Sequence, residues 1–461
     1  MEAAEPMTTP SLVAPDPGAV GQHMTEGASR MGIATWDLGI TCGHDTSVQV
    51  DRGEPKQLKA RQSTTAMVRA WNDQGLVGIT STNDLSPSGL TVALAGAQQA
   101  SAFGDAQSPP RLSPQARDPL TPLHQPQQPA LPIQTLLERL LATEQQVLNG
   151  HPAISTLPYN GLAQAQRERL YINSAGALRH QSTTSASLWL YPRAEEAGRK
   201  PRSAGAVRLA PGVDALDLEG CIAEATERTI SHLDYAPIDT GVYTVCFSPE
   251  AFLDLLWAFG SMVNAQAVLD GISLSRRSSL GAQVASPLLT VTDDARHPCH
   301  VAAPEFDGEG TPTRRLPLIE GGRLRHFLHS EGTARAFADG SVATGHANLG
   351  AKVTLSPQWL DVEGQRGDSS LSHQSSSGVV LVDSLSALHA GIKASQGSFS
   401  LPFDGWLLSG GERRSIEAAT VAGDVRSTLQ NIVACEGEPQ CTPSGRSPHV
   451  WVEGLTITGE A

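Results

Sequence analysis

Basic charge is scarce in this chain: 33 Lys and Arg face 47 Asp and Glu over 461 residues, a formal net charge of −14. A nucleic-acid footprint needs clustered cations, and doublets such as Arg276-Arg277 and Arg413-Arg414 stand isolated, so nucleic acid is not an expected partner. No run of about 18 apolar residues occurs, which excludes a membrane-spanning helix. The opening MEAAEPMTTPSLVAPDPG has neither a basic region nor an apolar stretch and does not read as a secretory signal. Cysteine is sparse as well. Cys42, Cys221, Cys246, Cys299, Cys435 and Cys441 form no CxxC pair, so reduced, mostly buried thiols in a cytoplasmic protein are expected. Cys435 and Cys441 are close enough in sequence to pair under oxidation. No GxSxG elbow appears, which argues against a serine hydrolase.

What the chain does have is 44 Gly, 31 Pro and recurring apolar periodicity, over a length that suits two or three domains. Residues 1–17, rich in Pro and Ala, are expected to be a disordered tail. A helix over 18–32 and alternating runs at 35–41, 47–52, 67–72 and 76–82 describe an N-terminal α/β domain over 18–103. Its hairpin turn is Asn72-Asp73-Gln74-Gly75, and its second helix runs from Pro87 to about Ala102. Prolines recur from Pro109 to Pro129, so 104–132 reads as an extended linker. A middle domain over 133–236 follows, with helices at 133–147 and 214–233 and strands at 168–173 and 182–191.

From 237 to 461 short strands dominate. They are expected at 241–247, 351–355, 378–382, 398–401, 405–408, 415–420 and 450–456, with helices at 383–388 and 424–433 and a polar Ser/Gly loop at 364–377. The fold class is therefore α+β: an N-terminal α/β domain followed by a β-rich, barrel-like C-terminal domain.

The most informative stretch is Leu289 to Ala347. A β-branched run meets an acidic turn, Asp293-Asp294. Phe306-Asp307-Gly308-Glu309-Gly310 follows, then a hairpin of 314–320 and 324–329 turning at Glu320-Gly321-Gly322. A helix over 331–338 and Thr344-Gly345-His346 end it. These phrases, with Leu318-Ile319-Glu320-Gly321-Gly322 and Ala334-Arg335, closely resemble the central block of the TldD/PmbA (TldD/TldE) family. Tyr171-Ile172-Asn173-Ser174-Ala175-Gly176 extends the resemblance into the first half of the chain.

The resemblance implies a metallopeptidase family whose TldD branch carries a His-Glu-x-x-x-His helix. Two imidazoles one turn apart share zinc there, the Glu serves as general base, and a distant Cys thiolate completes the site. The corresponding window here runs from Leu255 to Asn264 and holds no His, Glu or Cys. Trp257, Ala258, Ser261 and Met262 occupy the degenerate metal-site helix, which reads as an amphipathic helix packing Leu255, Leu256, Phe259, Met262 and Val263 into a core. Cys435 lies near the place of the thiolate.

Other side chains have two readings each. Asp293, Asp294, Asp307 and Glu309 either orient a peptide substrate or form turns that cap local N–H groups. His297, Cys299 and His300 either bind metal or give polarity to an exposed loop. His326 and His329, on an expected strand, fall on opposite faces and cannot share an ion.

The resemblance thus implies a metal-free TldE/PmbA-like subunit with no catalytic residue and no cofactor of its own. Zinc is expected in a TldD-like partner, and the pair processes small or unfolded peptides. A self-sufficient metallopeptidase with a nonstandard site, or a protein-binding regulator of the gyrase-modulator kind, are the alternatives.

Overall fold

Thr35–Asp51 (β1) and Glu54–Trp71 (β2) pair antiparallel along their whole length. The two-residue turn between them needs left-handed backbone twice, and Arg52 and Gly53 supply it at φ 54° and 79°. The buried carboxylate of Glu144 accepts both turn N–H groups, at 3.0 and 2.8 Å. The computed structural model describes residues 15–104, 110–123, 125–350, 352–364 and 378–459. It divides into two units: residues to 233 with 301–312 and 348–353, and residues 234–300, 313–347 and 354 onward.

The first unit is a half-barrel sheet. Its strands run in the order Val77–Thr82 (β3), β2, β1, Ile154–Asn173 (β4), Leu178–Ala194 (β5), then Arg202–Ser203 (β6), with Ala206–Ala210 (β7) also on β5. Helices Pro17–Met31 (α1) and Pro87–Ala100 (α2) cover one apolar cluster. Ile133–Gly150 (α3) and Leu218–Ser231 (α4) cover another. Three of the four have a side-chain N-cap, from Asp16, Ser86 and Asp217.

Two sequence expectations change here. The runs at 35–41 and 47–52 are one strand, since Cys42–Thr46 pairs with β2 on one side and β4 on the other. That pairing carries a single sheet through both 18–103 and 133–236. The described residues of the extended Pro-rich stretch also pack against the sheet. Ala116 is fully buried with Tyr171, Ala177 and Phe306, the Trp71 indole donates to Pro110 O, and Arg179 donates to Asp118 O. Proline lacks an N–H but keeps its carbonyl, and Pro110 uses it as an acceptor.

Inside this unit lies a buried ionic centre. Asp37 and Arg69 face each other across β1 and β2, with Arg69 Nη2 at 2.5 Å from Asp37. The Tyr171 hydroxyl donates to the same carboxylate at 3.0 Å, and Glu309 stands 3.5 Å from Arg69 with no exposed side chain on either. Burial opposes the Arg69 charge, but Asp37, with Glu309 and Tyr171 behind it, holds the guanidinium pKa above its ordinary value.

In the second unit five strands close into a barrel. Gly445–Gly459 (β20) pairs with Gly241–Phe247 (β9), which runs parallel to Val379–Leu385 (β14). Then come Ser398–Ser409 (β16) and Ala419–Asp424 (β18), which returns to β20. From β20 the sheet continues through Leu360–Gly364 (β13), Leu289–Asp294 (β10), Arg315–Glu320 (β11) and Arg323–Leu324 (β12). Ile432–Thr442 (β19) forms a hairpin with β20, Ile392–Lys393 (β15) and Glu412–Ile416 (β17) pair with β16, and Tyr235–Ala236 (β8) pairs with β17. The helix Pro249–Ala258 (α5) leaves β9 through a Ser248 cap and Pro249 at its first position.

Several local expectations give way to tertiary pairing. Asp293-Asp294 is the end of β10, not a turn. The return strand at 324–329 stops at Leu324, so His326 is exposed and His329 buried without strand alternation. No strand forms among the described residues of 351–355, while β14 runs on to Leu385 and displaces the helix expected at 383–388. The polar loop over 365–377 and residues 1–14 of the tail lie outside the described residues.

Removing one member of a buried ion pair strands the others without compensation, at about 3–5 kcal/mol. Arg69→Met should therefore lower the calorimetric melting temperature by several degrees. Arg193→Ala, at an exposed pair with Glu195, should change stability by less than about 1 kcal/mol.

Candidate functional site

The window that the resemblance sets against the TldD zinc helix folds as α5 and the turn after it. Among its residues Phe252, Leu253 and Leu255 are fully buried. The helix stops at Ala258, and Gly260–Val263 continues as a 3-10 turn, so the expected single amphipathic helix is broken. Leu256, Phe259, Met262 and Val263 line an apolar cavity of about 40 Å³, together with Val291, Leu318 and other aliphatic side chains.

None of the four window residues is a Cys, His, Asp or Glu, the side chains that bind zinc. The Trp257 indole donates to Ser444 O at 3.0 Å. Ala258 has a methyl group, Met262 packs into the cavity, and the Ser261 hydroxyl is buried without a hydrogen bond. An indole N–H cannot donate a lone pair, and a lone hydroxyl does not replace two imidazoles and a carboxylate. These residues do not fit the zinc that the family resemblance implies. The titratable group nearest in sequence is Asp254, whose carboxyl is pushed up to about 6 by burial and then by Glu250.

The four acids separate into two pairs in different units. Asp307 and Glu309 belong to the first. Asp307 Oδ1 accepts the N–H groups of Glu309 and Thr311 at 2.8 and 3.0 Å, closing a turn. Any Cβ on Gly308 would run into the backbone of Asn348 and Leu349. Gly310 takes φ 75° where the Tyr171 ring leaves no room for a side chain. Glu309 is the second carboxylate at Arg69. The motif is therefore a plug built for the buried ionic centre.

Asp293 and Asp294 lie in the second unit. Asp293 is fully buried, accepts Gln358 N–H at 2.7 Å and stands 3.4 Å from His346, a contact without hydrogen-bond alignment. Asp294 is half-buried and accepts Arg296 N–H at 3.1 Å. Three of the four acids have almost no surface to offer a peptide.

The expectation for the cysteines needs correction. Cys299 and Cys441 form a disulfide, while Cys435 is free and buried. Cys435 sits inside β19 opposite Val450, with its sulfur against Gly364, and burial pushes its thiol up to about 11. Trp257 reaches the turn between β19 and β20 at Ser444, beside Cys441, so the helix meets the outer end of this hairpin. Cys441 had no signal in the sequence beyond its distance to Cys435.

Nor is 297–300 an unstructured polar loop. The His297 ring stacks on Trp359 with centroids 4.3 Å apart, and His300 lies 6.2 Å from the same indole. His300 Nδ1 donates to Ala295 O at 3.0 Å, and burial lowers the His300 pKa.

His329 is enclosed between Phe327 and Phe337, and burial lowers its pKa from 6.5 to about 4. Between those values the unfolded chain binds more protons. Stability is then full above pH 6.5 and falls as the pH drops toward 4, by up to about 3 kcal/mol. His329→Gln should flatten that part of a plot of melting temperature against pH. A second measurement follows from the thiols. Ellman's reagent at pH 8 should find no reactive thiol in the native chain, two after mild reduction, and all six only after reduction and denaturation.

Residues 126–233 match the PmbA/TldA metallopeptidase central domain and residues 240–459 its C-terminal domain. A metalloprotease of Methanocaldococcus jannaschii is 33% identical over 112 residues, 24% of this chain and 25% of its own. The Haemophilus influenzae metalloprotease PmbA homolog is 22% identical over 239 residues, 50% of this chain and 49% of its own. The chain thus spans half or less of the length of these curated relatives. Among solved structures, TldE from Thermococcus kodakarensis superposes with TM-score 0.82 at 19% identity, covering 95% of this chain and 100% of that one. A Thermotoga maritima protein described as a modulator of a DNA gyrase superposes with TM-score 0.81 at 21% identity, covering 96% and 100%. With the fold and two consecutive domains in common, the chain belongs to the PmbA/TldD family of metallopeptidases.

Proposed function

We propose that this chain is the TldE/PmbA-like subunit of a heteromeric cytoplasmic metallopeptidase, the subunit without the family's catalytic zinc. A TldD-like partner supplies the zinc and the hydrolytic chemistry, and the substrates are small or unfolded peptides. The observation that carries this reading is the content of the α5 window. Trp257 and Met262 are committed to packing and backbone hydrogen bonding, and Ala258 and Ser261 offer no ligand set. A helix so occupied contributes shape, not an activated water.

This subunit's part is then to complete the peptide chamber and to bind substrate and partner through its β-rich second unit. Strand edges there suit peptide addition by main-chain hydrogen bonding. No helix is long and apolar enough to cross a membrane among the described residues, which is compatible with the proposed location.

Peptide hydrolysis by the isolated chain, by a His-Glu-x-x-x-His-bearing homologue from the same source, and by their mixture tests the proposal. The chain alone should be inactive, and the mixture should exceed the homologue alone by at least tenfold. Chelation should abolish activity of the mixture. Hydrolysis by the isolated chain, or a mixture no faster than the homologue, would contradict it.

A further inference from the structure

We propose that His297, Cys299 and Cys441 form a thiol-gated site for a zinc-class cation, separate from the family's metal helix. The site is shut while the two cysteines are joined and opens when the disulfide is reduced. One ligand atom from each of these residues lies within 4.8 Å of the other two. In a tetrahedral zinc site with bonds of about 2.0–2.3 Å, neighbouring ligand atoms are roughly 3.5–3.8 Å apart. The imidazole is therefore within about 1 Å of coordinating distance from the sulfurs. The two sulfurs, joined in the disulfide by a bond of about 2.0 Å, move apart by roughly 1.7 Å once it is reduced. None of them comes from α5, and the two sulfurs are 142 residues apart in sequence.

The site is held from both sides. Stacking on Trp359 fixes the His297 ring. The loop that carries it is closed by His297 N–H to Asp294 O at 3.1 Å and His300 N–H to His297 O at 2.9 Å. Cys441 lies near the end of β19, in register with Arg446 of β20, which pairs with Asp361 at 3.2 Å. Cys299 and Cys441 are exposed while the other four cysteines are buried. A reductant and an ion can reach these two sulfurs alone.

The chemistry balances as follows. A dithiol passes two electrons and two protons to the Cys299–Cys441 bond and leaves as its own disulfide, giving two thiols. Zinc then binds both sulfurs and displaces the two thiol protons to solvent. Imidazole and two thiolates are a ligand set that zinc favours, and three protein ligands leave a fourth position for water or a small ligand. The His297 Nδ1 now accepts the Cys299 N–H at 3.1 Å. Coordination through either ring nitrogen gives up that one neutral hydrogen bond, which is small beside two metal–thiolate bonds.

The test uses the full chain, reduced with dithiothreitol, freed of it under nitrogen and titrated with Co(II). The expected result is one equivalent of Co(II) bound, with a sulfur-to-metal charge-transfer band in the near ultraviolet that one equivalent of Zn(II) removes. The diamide-oxidised chain should show no band. Cys299→Ser and Cys441→Ser should each lose it, and His297→Ala should weaken binding at least tenfold, all with unchanged far-ultraviolet circular dichroism. No band in the reduced chain, or a band that survives both cysteine substitutions, would overturn the proposal. The readout is spectroscopic and independent of peptide hydrolysis, so its failure is distinguishable from a failure of the subunit reading.

Discussion

The packing of the segment after β9 is the constraint on which the functional reading depends. Once Leu255, Phe259, Met262 and Val263 fill one side of this segment, an ionised or metal-bound group there would have to be desolvated beside aliphatic carbon. That cost is prohibitive without a full ligand set. Trp257 adds a second commitment, because its indole satisfies the Ser444 carbonyl of the β19–β20 turn. Building a metal site on this segment would mean replacing packing and hydrogen bonding together, not one side chain.

The same logic explains the acidic block that looked most like a site. Asp307 and Glu309 are spent on a turn and on the Arg69 charge, and Asp293 on the backbone N–H of Gln358. Their chemistry is directed inward. Buried charges that are paired specify one arrangement of the strands and segments that bring them together, and here those segments are far apart in sequence. A motif can be distinctive because it is structurally demanding, and Gly308 and Gly310 are demanding for reasons of space.

How much of this was legible in the sequence follows the range of each interaction. The turn at Asn72–Gly75, the helix starting at Pro87 and the strand Gly241–Phe247 rest on local rules and were readable. The continuity of β1 was not, because Cys42–Thr46 is polar in part and only its two neighbouring strands make it a strand. Glu144 reads as an ordinary helix residue, yet it clamps a turn 91 positions away. The candidate site divides in the same manner. That Leu255 to Asn264 holds no His, Glu or Cys was visible as letters, whereas the meeting of His297 and Cys299 with Cys441 depends on sheet topology alone.

The most direct measurement is anomalous diffraction at the zinc edge from crystals of this chain soaked in Zn(II). No anomalous peak should lie within coordinating distance of Trp257, Ala258 or Ser261, whatever binds elsewhere on the protein. A peak seated on that helix, with protein ligands around it, would contradict the assignment of this chain as the subunit without the catalytic metal.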